Sequence, residues 1–159
     1  VHTSDAGRKF IEGWEGLYLH TYDDGTGVLT IGYGHTSAAG PPHVYHGMTI
    51  TAAQADQILA SDLAAVELDV NHFVKVPINQ NQYDALVSFD FNTGALGRSN
   101  VLRSVNSNRF TEVPADLMMW VRGGGRVMQG LVNRRRAESI LFMKLMAPAL
   151  GGKTARRER

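Results

Sequence analysis

Residues 15–36 read EGLYLHTYDDGTGVLTIGYGHT. The stretch opens on a single carboxylate, Glu15, and runs through Tyr18, Leu19 and Tyr22, residue types that favour strand. Asp23-Asp24-Gly25-Thr26-Gly27 then supplies turn chemistry, and Val28, Thr30, Ile31 and Tyr33 resume the strand pattern. A small antiparallel hairpin is predicted over 18–33. Just upstream, Ser4 or Asp5 can cap a helix over 4–15 whose Phe10, Ile11 and Trp14 share one face, with Gly16 as its stop. Glu15 therefore falls where a helix ends and a hairpin begins.

Downstream the period changes to that of helices. Thr51-Ala-Ala-Gln54 has capping-box spacing, and Ala55, Ile58, Leu59, Val66, Val70 and Phe73 continue an apolar stripe, which predicts a long helix over 51–73. Pro77 closes that segment, and Asn79 caps a helix through Tyr83, Leu86, Val87 and Phe91 that Asn92-Thr93-Gly94 breaks. Residues 37–48, with Gly40-Pro41-Pro42, read as an irregular loop. Shorter helices are expected at 98–106 and 113–121, a hinge or tight loop at Gly123-Gly124-Gly125, and a last helix over 129–145. No repeat or low-complexity linker divides the chain. The expected fold is α+β and mostly α, in a single domain. A β lobe at about 16–50 is joined by the helix at 51–73 to a helical lobe at about 79–146 that includes the helix at 4–15, and a basic tail occupies 147–159. A cleft is expected beside the long helix.

A chain of 159 residues buries about 70% of its unfolded surface without help from disulfides. The absence of cysteine excludes a thiol nucleophile and a cysteine-type zinc site. No apolar run is long enough to span a bilayer. The chain begins at Val1 and not Met, which leaves room for a preceding signal, anchor or leading segment, so this end does not decide localisation or the export route. Formal net charge is only +1, yet Arg122, Arg126, Arg134, Arg135 and Arg136 occur without an intervening acid, and Lys153, Arg156, Arg157 and Arg159 crowd the tail. These read either as a field for an anionic polymer or surface, or as a solvated helix face and terminus.

Glycosidic hydrolysis uses two carboxyl groups, one protonated to donate and one ionised on the other side of the bond. Glu15, beside Trp14 and Leu17, is placed for partial desolvation, which favours its protonated form. Asp24, in a solvated turn, should stay ionised, and the Thr30 hydroxyl can hold a water beside it. Asp23 is the rival to Asp24, with the alternative job of bonding the turn backbone. On spacing alone the pair reads equally as a helix-end charge and a turn residue.

The whole stretch says more. Glu15-Gly-Leu17, Tyr22, Asp24, Gly27 and Thr30-Ile-Gly-Tyr-Gly-His35 resemble the signature of phage-type lysozymes, the muramidases of glycoside hydrolase family 24: Glu, eight residues, an acid, five residues, Thr, then Ile-Gly-x-Gly-His. The helix at 51–73, Phe89-Asp-Phe-Asn-Thr-Gly94 and Gly130-Leu131-Val-Asn-Arg134-Arg135-Arg-Ala-Glu138 follow in the family's order, so the resemblance runs from about residue 4 to about 146. It implies Glu15 as general acid, Asp24 as the carboxylate on the other sugar face and Thr30 as the residue positioning water. The implied substrate is peptidoglycan, cut at the β-1,4 bond from N-acetylmuramic acid to N-acetylglucosamine, with inversion in the best-known members. An endolysin made in the host cytoplasm and acting on the wall in the periplasm is the expected role. No cofactor, metal or nucleic acid is expected; the chain should act as a monomer, with its basic C-terminal region against the anionic envelope.

By the same resemblance Arg134 pairs with Glu15, although an adjacent cation lowers a carboxyl pKa and the donor role needs it raised. Asn92 is either a sugar contact or a helix C-cap, and Tyr33 either a cleft wall or packing. Asp62 falls on the apolar stripe of the long helix, where a lone carboxylate is costly. His35 is its expected partner in a structural ion pair, and a depressed Asp62 pKa would make stability fall on acidification.

Three rival readings remain. His20, His43 and His46 could bind zinc, though without helical ligand spacing. The arginines could serve a binding module for nucleic acid or a surface, though without interleaved aromatics. A lytic transglycosylase would need only the Glu, and the presence of Asp24 and Thr30 argues against it.

Overall fold

The computed structural model describes residues 1–23 and 25–146; Asp24 and the basic tail at 147–159 lie outside the described residues. Helix α1 spans Asp5–Glu15, with the Ser4 hydroxyl accepting from the Gly7 amide as its N-cap. Ser4 is itself tied to α3, Gln80–Thr93. Its amide donates to Asp84 Oδ1 at 3.0 Å and its hydroxyl also bonds that carboxylate. A β-carbon at Gly7 would stand 2.4 Å from Asp84 Cγ, so only glycine lets α1 approach this closely. One end of α1 is thereby locked, and Glu15 lies at the other, about 15 Å away at 1.5 Å per residue.

Past Gly16, at φ +72, the chain enters a three-stranded antiparallel sheet: β1 Tyr18–Asp23, β2 Leu29–Gly32 and β3 His35–Thr36. The predicted hairpin is the β1–β2 pair; β3 is an addition, too short to carry a pattern of its own. Ile31, Val44, Ile50 and Ala55 form the small core of this lobe. Helix α2, Ala52–Phe73, begins at the predicted capping box, with both reciprocal bonds between Thr51 and Gln54 present. Asn79 and Gln82 form a second box at the start of α3, which ends on left-handed Gly94.

Ser99 caps α4, Asn100–Asn106, and Pro114 sits in the first turn of α5, Val113–Leu117. The last helix, α6, spans Gln129–Met143. The larger core, with Leu59, Leu63, Leu86, Phe89, Leu96, Val105, Leu117 and Phe142, is assembled around α3. Of the two expectations for the glycine run, hinge or tight loop, the structure has the tight loop, as the turn of a β-hairpin, β4 Arg122–Gly123 with β5 Arg126–Val127. Gly124 and Gly125, at φ +58 and +80, make the two-residue turn that suits a right-handed strand twist.

Between the lobes Glu12 of α1 faces Asp56 of α2, whose Oδ1 accepts from Arg8 Nε at 2.8 Å. Burial, then the bond to Asp56 and its charge, push the Glu12 carboxyl up to about 7 against the pull of Arg8 and Lys9. Glu12 and Arg8 together hold Asp56 below its ordinary range. A carboxyl raised on folding supplies stability that is full below its unfolded value and is lost as pH rises through about 7. Screened for partial exposure, the loss is on the order of 1–2 kcal/mol. Glu12→Gln, which keeps a donor toward Asp56, should flatten the melting temperature between pH 5 and 8; an undiminished slope in the variant would place the titration elsewhere.

Candidate active site

Glu15 is half-buried at the end of α1, its side chain 20% exposed. It contributes to a cavity of about 430 Å³ lined by Trp14, Asn92, Gly123, Met128, Leu131 and Arg134, among others. Two of these come from the β4–β5 hairpin and the residue following it, so the glycine turn shapes the cavity rim. A second hollow of about 290 Å³, with Trp120 and Arg122, shares Asn92 and Leu131 with the first, and the two form one groove along the helical lobe. A separate cavity of about 450 Å³ at Pro41, Pro42, Met48, Ile50 and Ile58 contains none of the predicted site residues.

Arg134 Nη1 donates to Glu15 Oε1 at 2.6 Å. The arginine is held from behind: Nε donates to Glu138 Oε1 at 3.2 Å, and Nη2 reaches the carbonyl and hydroxyl oxygens of Ser88 at 3.2 and 3.3 Å. Ser88 Oγ in turn donates to Glu138 at 2.7 Å. Arg135 Nη1 bonds the other Glu138 oxygen at 2.8 Å, its Nη2 bonds Asn92 Oδ1, and its guanidinium lies 5.1 Å from the centre of the Phe89 ring. Two carboxylates and two guanidiniums thus balance, with Arg135 and Glu138 fully buried. Burial drives the Glu138 carboxyl up and the Arg135 guanidinium down, each opposed by the charge of the other.

This network alters two sequence expectations. The basic field loses Arg134 and Arg135 to the interior; Arg122, Arg126 and Arg136 remain exposed. Asn92 is not the C-cap, since Gly94 is; it lines the cavity with its carbonyl oxygen turned to Arg135. Ser88, Arg135 and Glu138 were not singled out for the site. The signal for the last two was present: Glu138 stands three and four residues after the arginines, spacings that meet on one helix face.

On the β side, Gly34 sits against the acid, since a β-carbon there would lie 3.5 Å from Glu15 Oε2. Asp23 Oδ1 accepts from the amides of Gly25 and Gly27, both at 2.9 Å, so Asp23 builds the turn. Asp24, the acid that follows it in sequence, lies outside the described residues. Thr30 is buried on β2 opposite Tyr22, its hydroxyl 3.3 Å from the Val28 carbonyl. Tyr33 packs against both cores and is not among the residues lining the Glu15 cavity. Burial first, then the charges of Glu12 and Asp56, raise its phenol pKa.

His35 Nδ1 lies 2.7 Å from Asp62 Oδ2 and His35 Nε2 lies 2.8 Å from the Pro42 carbonyl, both deep in the β lobe. A carbonyl only accepts, so Nε2 carries a proton, and one further proton is shared across the Nδ1–Oδ2 link. The expected direction for Asp62 is reversed. Burial raises its carboxyl more than His35 lowers it, because the side chain is only 7% exposed. A raised carboxyl binds more protons folded than unfolded, so wild type should gain on Asp62→Asn as pH falls through the acid range. Paired melting curves at pH 4 and 6 check this; a wild type that loses ground on acidification would restore the depressed value.

His20, His43 and His46 do not converge, and among the described residues no group of three histidines or acids could hold a metal. Among the same residues no helix is long and apolar enough to cross a membrane.

A small β lobe, a larger helical lobe and an arginine-held carboxyl at a groove along the helical lobe have the layout of a lysozyme-type glycosidase. The phage lysozyme family matches residues 12–138. The endolysin of Salmonella phage P22 is 41% identical over 131 residues, 81% of this chain and 89% of that protein. The endolysin of Bacillus phage PZA is 41% identical over 146 residues, 89% of this chain; the chain spans about half of that relative, 55%. Among solved structures, the muramidase domain of SpmX from Asticaccaulis excentricus superposes with a TM-score of 0.82 at 38% identity, covering 91% of this chain and 100% of that one. The chain belongs to the phage lysozyme family.

Proposed function

We propose that this protein is a peptidoglycan muramidase, hydrolysing the β-1,4 bond between N-acetylmuramic acid and N-acetylglucosamine during lysis of a bacterial host by a phage. The observation that carries the reading is the setting of Glu15: a carboxyl at the groove with Oε1 fixed by Arg134 and Oε2 left for substrate. Arg134 serves orientation, holding the carboxyl plane while Oε2 carries the proton. A glycan strand lying over Glu15 removes water from it, which favours the neutral acid needed for donation.

In the reaction Glu15 protonates the leaving glycosidic oxygen as the bond to the anomeric carbon breaks. A water held by Thr30 adds to that carbon from the opposite face and gives its proton to Asp24, so the configuration inverts. Asn92 contacts a sugar from the groove wall. The exposed Arg122, Arg126 and Arg136 add attraction to the anionic wall, with the protein working as a monomer on that wall. Digestion of purified peptidoglycan tests the assignment. New reducing ends support it; anhydro-sugar ends would make the protein a transglycosylase, and retention on the wall without cleavage would make it a binding module.

A further inference from the structure

Strand β1 is irregular. Tyr18 pairs with Gly32 and Tyr22 with Thr30, so four steps along β1 face two along β2. In an ordinary strand, side chains four residues apart stand about 13 Å from each other. Here the ring centroids of Tyr18 and Tyr22 are 4.3 Å apart, tilted by 39°. The bulge folds the strand back and sets two phenol rings together at the surface, where Tyr18 remains 49% exposed beside the partly exposed Leu17 and Leu19.

The pair stands next to the predicted chemistry at both ends. A β-carbon on Gly16 would lie 3.7 Å from Tyr18 Cε2, so that ring rests against the backbone next to Glu15. Tyr22 is the cross-strand partner of Thr30, and paired residues present their side chains on one face of a sheet. The two rings therefore cover the β-lobe surface from Glu15 toward Thr30. A hexopyranose ring has one face of C–H groups, and an aromatic face receives it by dispersion and C–H to π attraction while its hydroxyls stay in water.

We propose that Tyr18 and Tyr22 form a sugar-stacking platform that holds an N-acetylhexosamine unit of the glycan strand on the β lobe, next to the bond whose oxygen Glu15 protonates. The identity of the occupant rests on the muramidase reading. The platform makes glycan binding depend on an aromatic face at position 18.

The test separates binding from catalysis by measuring the affinity of soluble peptidoglycan glycan fragments for Glu15→Gln protein with and without Tyr18→Ala. Loss of the ring should weaken binding about 3- to 10-fold, and Tyr18→Trp should restore it. Tyr18→Leu keeps apolar volume without a ring face and should bind as weakly as the alanine variant, which also decides the matter should alanine fail to fold. With Glu15 intact, Tyr18→Ala should raise KM by a similar factor and change kcat less than twofold. Unchanged affinity, absence of any glycan binding, or a fall in kcat at constant KM overturns the platform; the last would make the ring a prop for the helix end. Should the parent protein cleave nothing while binding still depends on Tyr18, the platform stands and the catalytic reading alone falls.

Discussion

Glu15→Gln is expected to lower the release of reducing ends from peptidoglycan by about 10²- to 10⁴-fold, the range over which a positioned general acid acts. The amide still offers an oxygen to Arg134 Nη1, so the 2.6 Å contact and the orientation of the side chain have a substitute. What disappears is the transferable proton. Because the replaced group is at the partly exposed end of the network, the melting temperature should stay within about 5 °C of the parent. Loss of activity in a folded protein assigns the acid. Activity within tenfold of the parent would remove Glu15 from the reaction, and the muramidase reading with it. Activity lost together with the fold would be answered by Glu15→Asp, which retains a proton on a shorter arm and should recover part of the rate only if the acid function is real.

Glu138→Gln should produce the largest loss of stability. Glu138 is fully buried and receives Arg134, Arg135 and Ser88 on its two oxygens. Replacing one oxygen by an amide nitrogen turns a donor toward a guanidinium and leaves an uncompensated positive charge in the interior. Breaking such a buried pair costs about 3–5 kcal/mol, a large part of the 5–15 kcal/mol that holds a typical domain together. For a chain of this size that is a fall of about 6–20 °C in melting temperature. Ser88→Ala removes the hydroxyl's two hydrogen bonds, to Glu138 and from Arg134, and no charge, and should cost about 1–2 kcal/mol. A Glu138→Gln melting temperature within 2 °C of the parent would mean that the network contributes nothing net. The variant should also lose activity beyond its loss of fold, since Arg134 Nε loses its anchor and the guanidinium that orients Glu15 is free to turn.

The amino-acid sequence by itself determined the order of elements and most of their boundaries. Helix starts were legible because capping is local: Ser4, Thr51 and Asn79 each accept from an amide three residues on. The stops at Gly16 and Gly94 were legible because each adopts a positive φ. The position of Glu15 at the helix end, and the capacity of Asp23 to bond the turn backbone, were legible within a few residues. Spacing on one helix was informative for the same reason, and it paired Asp62 with His35 across 27 positions only because a buried carboxylate must find some partner.

Tertiary structure decided whatever depends on residues far apart in the chain. Five arginines look alike in sequence, yet burial divides them: Arg134 and Arg135 enter the interior because Glu138, Ser88 and Glu15 converge from three helices, while Arg122, Arg126 and Arg136 stay outside. The direction of the Asp62 shift needed the depth of its site, since desolvation and ion pairing oppose each other and their balance is set by packing. Tyr33 was withdrawn from the cavity by two cores that meet around it, and the Tyr18–Tyr22 contact exists because a register slip folds β1 back on itself. Charge and shape are local to a residue, but the water removed from around it is a property of every element packed against it.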